Sequence, residues 1–149
     1  MVNQRKITSA EWDGDDLVVS GSLGDGTPDE DGMVVDPEWL YDAAGCWLLT
    51  GGGIRIGKYG SVVGAGTGVS RHGGAVRIAA RITNRQVADM IVTEAVTAFT
   101  IGIVRPVIVK DDTAPAGRIT GGTLSSVGLR NPPRPAHPDL QERELPENS

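Results

Sequence analysis

Glycine sets the first constraint on this chain: 21 of its 149 residues are glycine, scattered from Gly14 to Gly128. A glycine inside a helix costs about 1 kcal/mol relative to alanine. Spacing of this kind therefore favours turns, bulges and bent strands over long helices. The length is enough for one domain with a real core. Hydrophobic residues make up 39% and aromatics only 4%, so that core has to be aliphatic, built from Val, Ile, Leu and Ala.

The order of the elements follows from punctuation and period. Ile7–Trp12 and Leu17–Gly21 flank Asp13-Gly14-Asp15-Asp16 and read as a hairpin. An acidic, glycine-rich loop covers Gly24 to Gly32. Asp36-Pro37-Glu38 then has the chemistry of a helix start, Asp36 capping and Pro37 at the first helical position. That helix is expected to reach about Ala44 and to stop at Gly45. Short strands are predicted over Cys46–Thr50, Ile54–Lys58, Ser61–Gly66 and Ala75–Ile82, with Arg71-His72-Gly73-Gly74 as a turn. Thr83 with Gln86 has capping-box spacing, and Val87, Met90, Ile91 and Ala95 recur at helical intervals. Ala98–Val109 reads as a long strand with an edge or bulge at Pro106. A loop at Asp111–Gly117 and one or two strands within Arg118–Leu129 complete the domain, predicted as 1–129. Residues 130–149, with Pro132, Pro133, Pro135, Pro138 and Pro146, read as an extended arm of the kind that orders against a partner. The fold class expected is mostly β with two helices (α+β), a bent and partly closed β-barrel.

The net charge is −5 and the sequence pI near 4.9. A phosphate backbone needs a basic surface, so nucleic acid is not expected as the main partner. Cys46 is the single cysteine, which excludes an intrachain disulfide and a cysteine-rich metal site and fits a reducing compartment. Met1 to Lys6 is polar with no long apolar segment behind it. The longest apolar runs, such as Ile101–Val104, are too short for a bilayer, so no signal peptide and no membrane association are expected.

Several motifs invite chemistry and give way to plainer readings. Gly52-x-x-x-x-Gly57-Lys58 approaches a phosphate-binding loop, but Tyr59 and Gly60 stand where a Ser or Thr and a helix are required. Asp29, Asp31, Gly32 and Glu38 fall at calcium-loop spacing, yet Thr27 holds the first-ligand position and no helix precedes it. His72 and His137 are the only histidines and neither has a metal-ligand partner at useful spacing, so no metal and no cofactor are expected. Trp12, Trp39 and Trp47 read as core and rim packing, with a subunit interface as the sharper alternative.

Four segments together resemble the tailed-phage prohead (capsid maturation) protease family, whose fold is shared with the herpesvirus assemblins. They are Asp31-Gly32-Met33-Val34-Val35-Asp36-Pro37-Glu38-Trp39; Ile54-Arg55 through Val63-Gly64-Ala65-Gly66; Ala98-Phe99-Thr100-Ile101-Gly102-Ile103; and Gly117-Arg118-Ile119 through Gly122-Thr123-Leu124 to Pro135-Ala136-His137-Pro138. The resemblance covers roughly Leu17 to Asp139. It implies the assemblin-type barrel, a role in phage head assembly with the major capsid protein or other head proteins as partners, and a place in the virion after assembly in the host cytoplasm. A homo-oligomer is also compatible with it.

The family cleaves peptides with a serine, a histidine base and, in many members, an acidic third residue. The resemblance places Thr100 at the serine, Lys58 at the histidine and Ser126 near the acid. A lysine serves as a base only when burial lowers its pKa, and the threonine methyl crowds an attacking oxygen. Replacement at all three positions favours a non-catalytic capsid-associated protein. The alternative is an active maturation protease using Thr100, or Ser126, with Lys58, which needs the amine within about 3 Å of the hydroxyl. A weaker third reading is nucleotide binding at Gly52–Lys58.

Overall fold

The computed structural model describes residues 5–58 and 60–131. Eight strands and two helices follow in the order β1 (Ile7–Asp13), β2 (Asp16–Gly24), β3 (Met33–Val35), α1 (Pro37–Leu49), β4 (Gly53–Ile56), β5 (Val62–His72), β6 (Ala75–Ile82), α2 (Arg85–Val92), β7 (Phe99–Asp111) and β8 (Ala114–Leu129). The arm predicted from residue 130 lies, beyond Asn131, outside the described residues.

One mixed sheet runs β1-β2-β6-β5-β4-β8-β3, with β7 added on β8. The β1–β2 and β5–β6 hairpins turn at Gly14 and Gly73, both at positive φ as tight turns require. β8 is the longest strand at 16 residues. Its whole length pairs antiparallel with β7, while its other edge receives two parallel partners: β3 at Gly117–Ile119 and β4 at Val127–Leu129. Those two contacts are eight residues apart along β8, about 26 Å. Helix α1 carries the chain across that gap and lays Leu40, Ala44 and Trp47 against the core.

The expected barrel is therefore a bent, mixed sheet whose ends are not zipped together. Among the described residues, β1 and β7 meet through the isolated bridge Lys6–Ala98 and the hydrogen bonds Ile7 N to Thr97 O and Phe99 N to Arg5 O, with no continuing ladder. The core between the sheet and its helices is aliphatic, as the composition required, with Phe99 its largest fully buried side chain.

The structure corrects four local expectations. Helix α1 does not stop at Gly45, and Cys46–Thr50 is not a strand. The buried positions Leu40, Ala44 and Trp47 continue one helical face past Gly45. Trp47 lies against Gly66, where an added Cβ would sit 2.5 Å from the indole. The stop comes at Thr50, followed by Gly51 and Gly52 at positive φ. Thr83 is not the cap of α2: Asn84 Oδ1 accepts from Val87 N at 3.0 Å, while the Thr83 hydroxyl donates to Val63 O. The proposed loop at Asp111–Gly117 is a tight turn, with Asp111 Oδ1 accepting from Thr113 N and Oγ1 and β8 resuming at Ala114. Val34 and Val35, unassigned by period, form the short strand β3. The bulge expected at Pro106 is present: the β7–β8 register shifts between Val104 and Val107, and Arg105 has φ 52°.

Trp47 is a core residue and Trp39 packs against the core edge. Trp12 is exposed on β1, with the Arg85 guanidinium 4.6 Å from its ring centroid.

Arg118 ties three elements together. Its Nη1 donates to Asp36 Oδ1 at 2.7 Å and its Nε to Asp111 Oδ2 at 2.8 Å, while Asp36 Oδ2 accepts from Trp39 N to cap α1. The Thr113 hydroxyl and then the Arg118 guanidinium hold the Asp111 carboxyl down at about 2. Its folded value lies below the unfolded value of about 3.9. The stability it contributes is therefore complete above about pH 4 and is lost as pH falls towards 2. A thermal melt series from pH 5 to pH 2 should show a drop in that window that is absent in Asp111→Asn.

Two glycine substitutions separate helix propensity from close packing. Gly45 lies in α1 with open space at its Cβ position, so Gly45→Ala should stabilise by about 1 kcal/mol. Gly66→Ala forces Trp47 to move and should cost about 2 kcal/mol. Urea unfolding of the two variants measures both.

Candidate active-site cleft

Strand pairing brings distant residues into one row. Thr100 of β7 faces Gly128 of β8, and Arg55 of β4 faces the same Gly128 from the other side. Two strand spacings put Thr100 and Arg55 about 10 Å apart. After Ile56 the chain turns at Gly57, whose φ is 71° and whose N–H donates to Leu129 O at 2.6 Å. The Gly57 carbonyl then fills the space a Cβ on Gly128 would need. Gly128 is thus required by close approach, and the turn it admits delivers Lys58 beside the Thr100 row.

Both residues line one open cleft of about 490 Å3. Met33, Val35, Ile103 and Ile119 give it an apolar floor. Arg5, Lys58 and Arg130 line it with positive charge, and Asp29, Glu30 and Asp31 supply an acidic wall. That wall is a built turn: Asp29 Oδ1 accepts from the backbone N–H of Asp31 and Met33. Arg130 Nη1 meets Glu30 Oε1 at 3.1 Å. Burial draws the Arg5 guanidinium below the usual arginine range, and Asp29 and then Asp25 oppose that.

Thr100 is half-buried and Lys58 exposed. No hydrogen bond joins them among the described residues. Ser126 does not join the cleft. It faces Gly102, two residues along β7 from Thr100, and is only 6% exposed. Its Oγ has no hydrogen-bond partner among the described residues and sits 2.6 Å from where a Gly102 Cβ would lie. The neighbouring Ser125 hydroxyl donates to Gly102 O at 3.1 Å, in the bulge where the register shifts.

The capsid assembly protease of bacteriophage T4 superposes with a TM-score of 0.61 at 13% sequence identity, covering 78% of this chain and 83% of that one. The chain has a prohead-protease-like fold. No protein-family model matches its sequence, and no curated protein is similar enough in sequence to count as a relative.

Within that fold the other motifs resolve into architecture. Gly52 and Gly57 bracket strand β4, and among the described residues the next element after Lys58 is strand β5, where a phosphate-binding loop needs a helix N-terminus. In the acidic loop, Asp25 Oδ1 accepts from Thr27 and Asp29 from the backbone, so both carboxylates are occupied in holding the turn. His72 ends β5 and does not line the cleft, and His137 lies outside the described residues. Reading by sequence alone missed Arg5, Arg130 and the Asp29–Asp31 wall. Each is local to a segment without period, and only strand pairing across the sheet gathers them.

The two hydroxyls should respond differently to removal. Ser126→Ala deletes a buried group that makes no hydrogen bond, so stability should be unchanged or rise by up to about 1 kcal/mol. Thr100→Val keeps the branched shape suited to a strand and should change stability by about 1 kcal/mol or less. Chemical denaturation of both variants reads these values.

Proposed function

We propose that this chain is a non-catalytic phage head protein. In this reading a prohead-protease-like fold is kept as a binding module for the major capsid protein or other head proteins. It works in head assembly in the host cytoplasm or remains as a component of the virion. Its folded unit is 1–129, followed by the arm 130–149, and self-association is compatible with it.

One observation carries the reading. The cleft of the protease-like fold is lined by Thr100 and Lys58, the residues that resemblance sets at the family's serine and histidine, and by no histidine among the described residues. A lysine becomes a base through loss of water around it, and Lys58 is exposed. Ser126, near the family's acid in the same resemblance, is shut away beneath Gly102. Likeness of fold supports a head-related role and leaves the chemistry to the site.

The second reading, an active Thr–Lys protease, draws on the same cleft, because Thr100 and Lys58 do share it. Incubating the purified protein with the capsid and scaffold proteins of its phage separates the two. Mass spectrometry should find no specific cleavage. Cleavage that disappears in both Thr100→Ala and Lys58→Ala would return the enzyme to first place.

Among the described residues no helix is long and apolar enough to cross a membrane.

A further inference from the structure

The second half of β7 is open on three sides. Every residue from Val104 to Lys110 is exposed, and successive strand side chains point to opposite faces, so both faces meet water. The inner edge pairs with β8, and the outer edge has no ladder partner among the described residues. Four of the nine large apolar residues exposed among the described residues, Val104, Val107, Ile108 and Val109, fall within these six positions. That clustering marks a contact surface, where single scattered apolar residues would not.

The hydrogen-bonding phase of the edge follows from one contact. The Val109 carbonyl oxygen lies 2.9 Å from where a Cβ on Gly117 would sit, so Val109 directs its backbone groups at β8. Ile108 and Lys110 on either side then turn theirs outward. Pro106 falls in the same outward phase, where a missing N–H costs no bond within the molecule.

We propose that two copies of this chain pair through these edges, antiparallel about a two-fold axis at Ile108. Ile108 exchanges both backbone hydrogen bonds with Ile108 of the second copy. Each Lys110 N–H donates to the Pro106 carbonyl across the axis, and each Val107 lies opposite Val109. The strand is its own complement in this arrangement: apolar residues meet apolar residues at the centre, and the Asp112 end of one edge meets the Arg105 end of the other. Parallel pairing would set Arg105 on Arg105 and Lys110 on Lys110. Arg105, Lys110 and Asp112 form no ion pair among the described residues, so they are free to take part. A shift of two residues would set Ile108 against Lys110, or against Pro106 with its missing donor. The bulge at Arg105 and the turn after Asp111 end the ladder on either side, which leaves one register. A two-fold contact of this kind closes at two copies, because each copy uses up the other's free edge. Pro106 also lines the cleft, so each copy sets its β7–β8 turn at the rim of the other's cleft. The inference goes beyond the head-protein reading and holds whether or not the cleft cleaves peptides.

The test uses the full chain. Sedimentation equilibrium over about 5 to 500 µM, where small interfaces dissociate, should show the mass rise from one chain of 15.6 kDa to twice that and no further. Ile108→Lys places two charges on the axis and should hold the protein at the monomer mass throughout. Ile108 is 50% exposed, so the fold should be kept, and an unchanged circular dichroism spectrum checks this. Cysteine crosslinking reads the register. In a Cys46→Ser background, Ile108→Cys sets two Cα atoms about 5.5 Å apart, within disulfide reach, and mild oxidation should give a covalent dimer. Lys110→Cys sets them four residues apart along the ladder, about 14 Å, and should give none. Should Ile108→Lys fail to fold, the two cysteine variants decide alone. A monomer at every concentration, a dimer that survives Ile108→Lys, growth beyond two copies, or equal crosslinking through both cysteines would each overturn the proposal. None of these measurements reads proteolysis, so their failure is distinct from failure of the non-catalytic reading.

Discussion

Strand β8 is the element on which the rest depends. β3 and β4 lie parallel to its two ends on one edge, and β7 covers the other edge along its full length. All four segments that resemble the prohead proteases converge there. Asp36 of the first meets Arg118 of the fourth, Ile54 and Arg55 of the second pair with Val127 and Gly128, and Thr100 of the third pairs with Gly128. These contacts join residues 28 to 82 apart in sequence, so pairing with β8 fixes the geometry of the cleft.

The cleft follows from the same pairing. A side chain on residue 128 would displace the Gly57 carbonyl, and the turn that places Lys58 would shift with it. Holding Lys58 and Thr100 in one cleft is thus a property of backbone packing, independent of whether the two groups react. The frame is stabilised by aliphatic burial and sheet hydrogen bonds, with no contribution required from Thr100 or Lys58, so fold and chemistry are separable here.

Much of the fold was legible in the sequence. The Gly14 and Gly73 turns, the Asp36-Pro37 helix start and the Pro106 bulge are local chemistry, and local chemistry survives folding. Where Gly45 suggested a helix end, the packing of Trp47 on Gly66 prevailed over propensity. Thr83 lost the capping role to Asn84 because its hydroxyl is used by Val63 across the sheet. Within Arg118–Leu129 the glycines and threonines obscure the alternation of buried positions, which left one strand or two open; the structure has one, β8, starting already at Ala114. Lys58 and Thr100 were found by resemblance, whereas Arg5, Arg130 and the Asp29–Asp31 turn become neighbours only once β7 and β8 are aligned.

The outer edge of β7 runs from Thr100 to Asp111 without a ladder partner among the described residues, and it exposes Val104, Val107, Ile108 and Val109. An apolar, unpaired edge of this length is a template for indiscriminate strand addition and aggregation. The bulge at Arg105-Pro106 breaks it midway. Pro106 offers no N–H, the kink interrupts the register, and Lys110 sets a charge beyond the exposed apolar run. The most adhesive strand of the sheet is thereby kept from joining another chain at random.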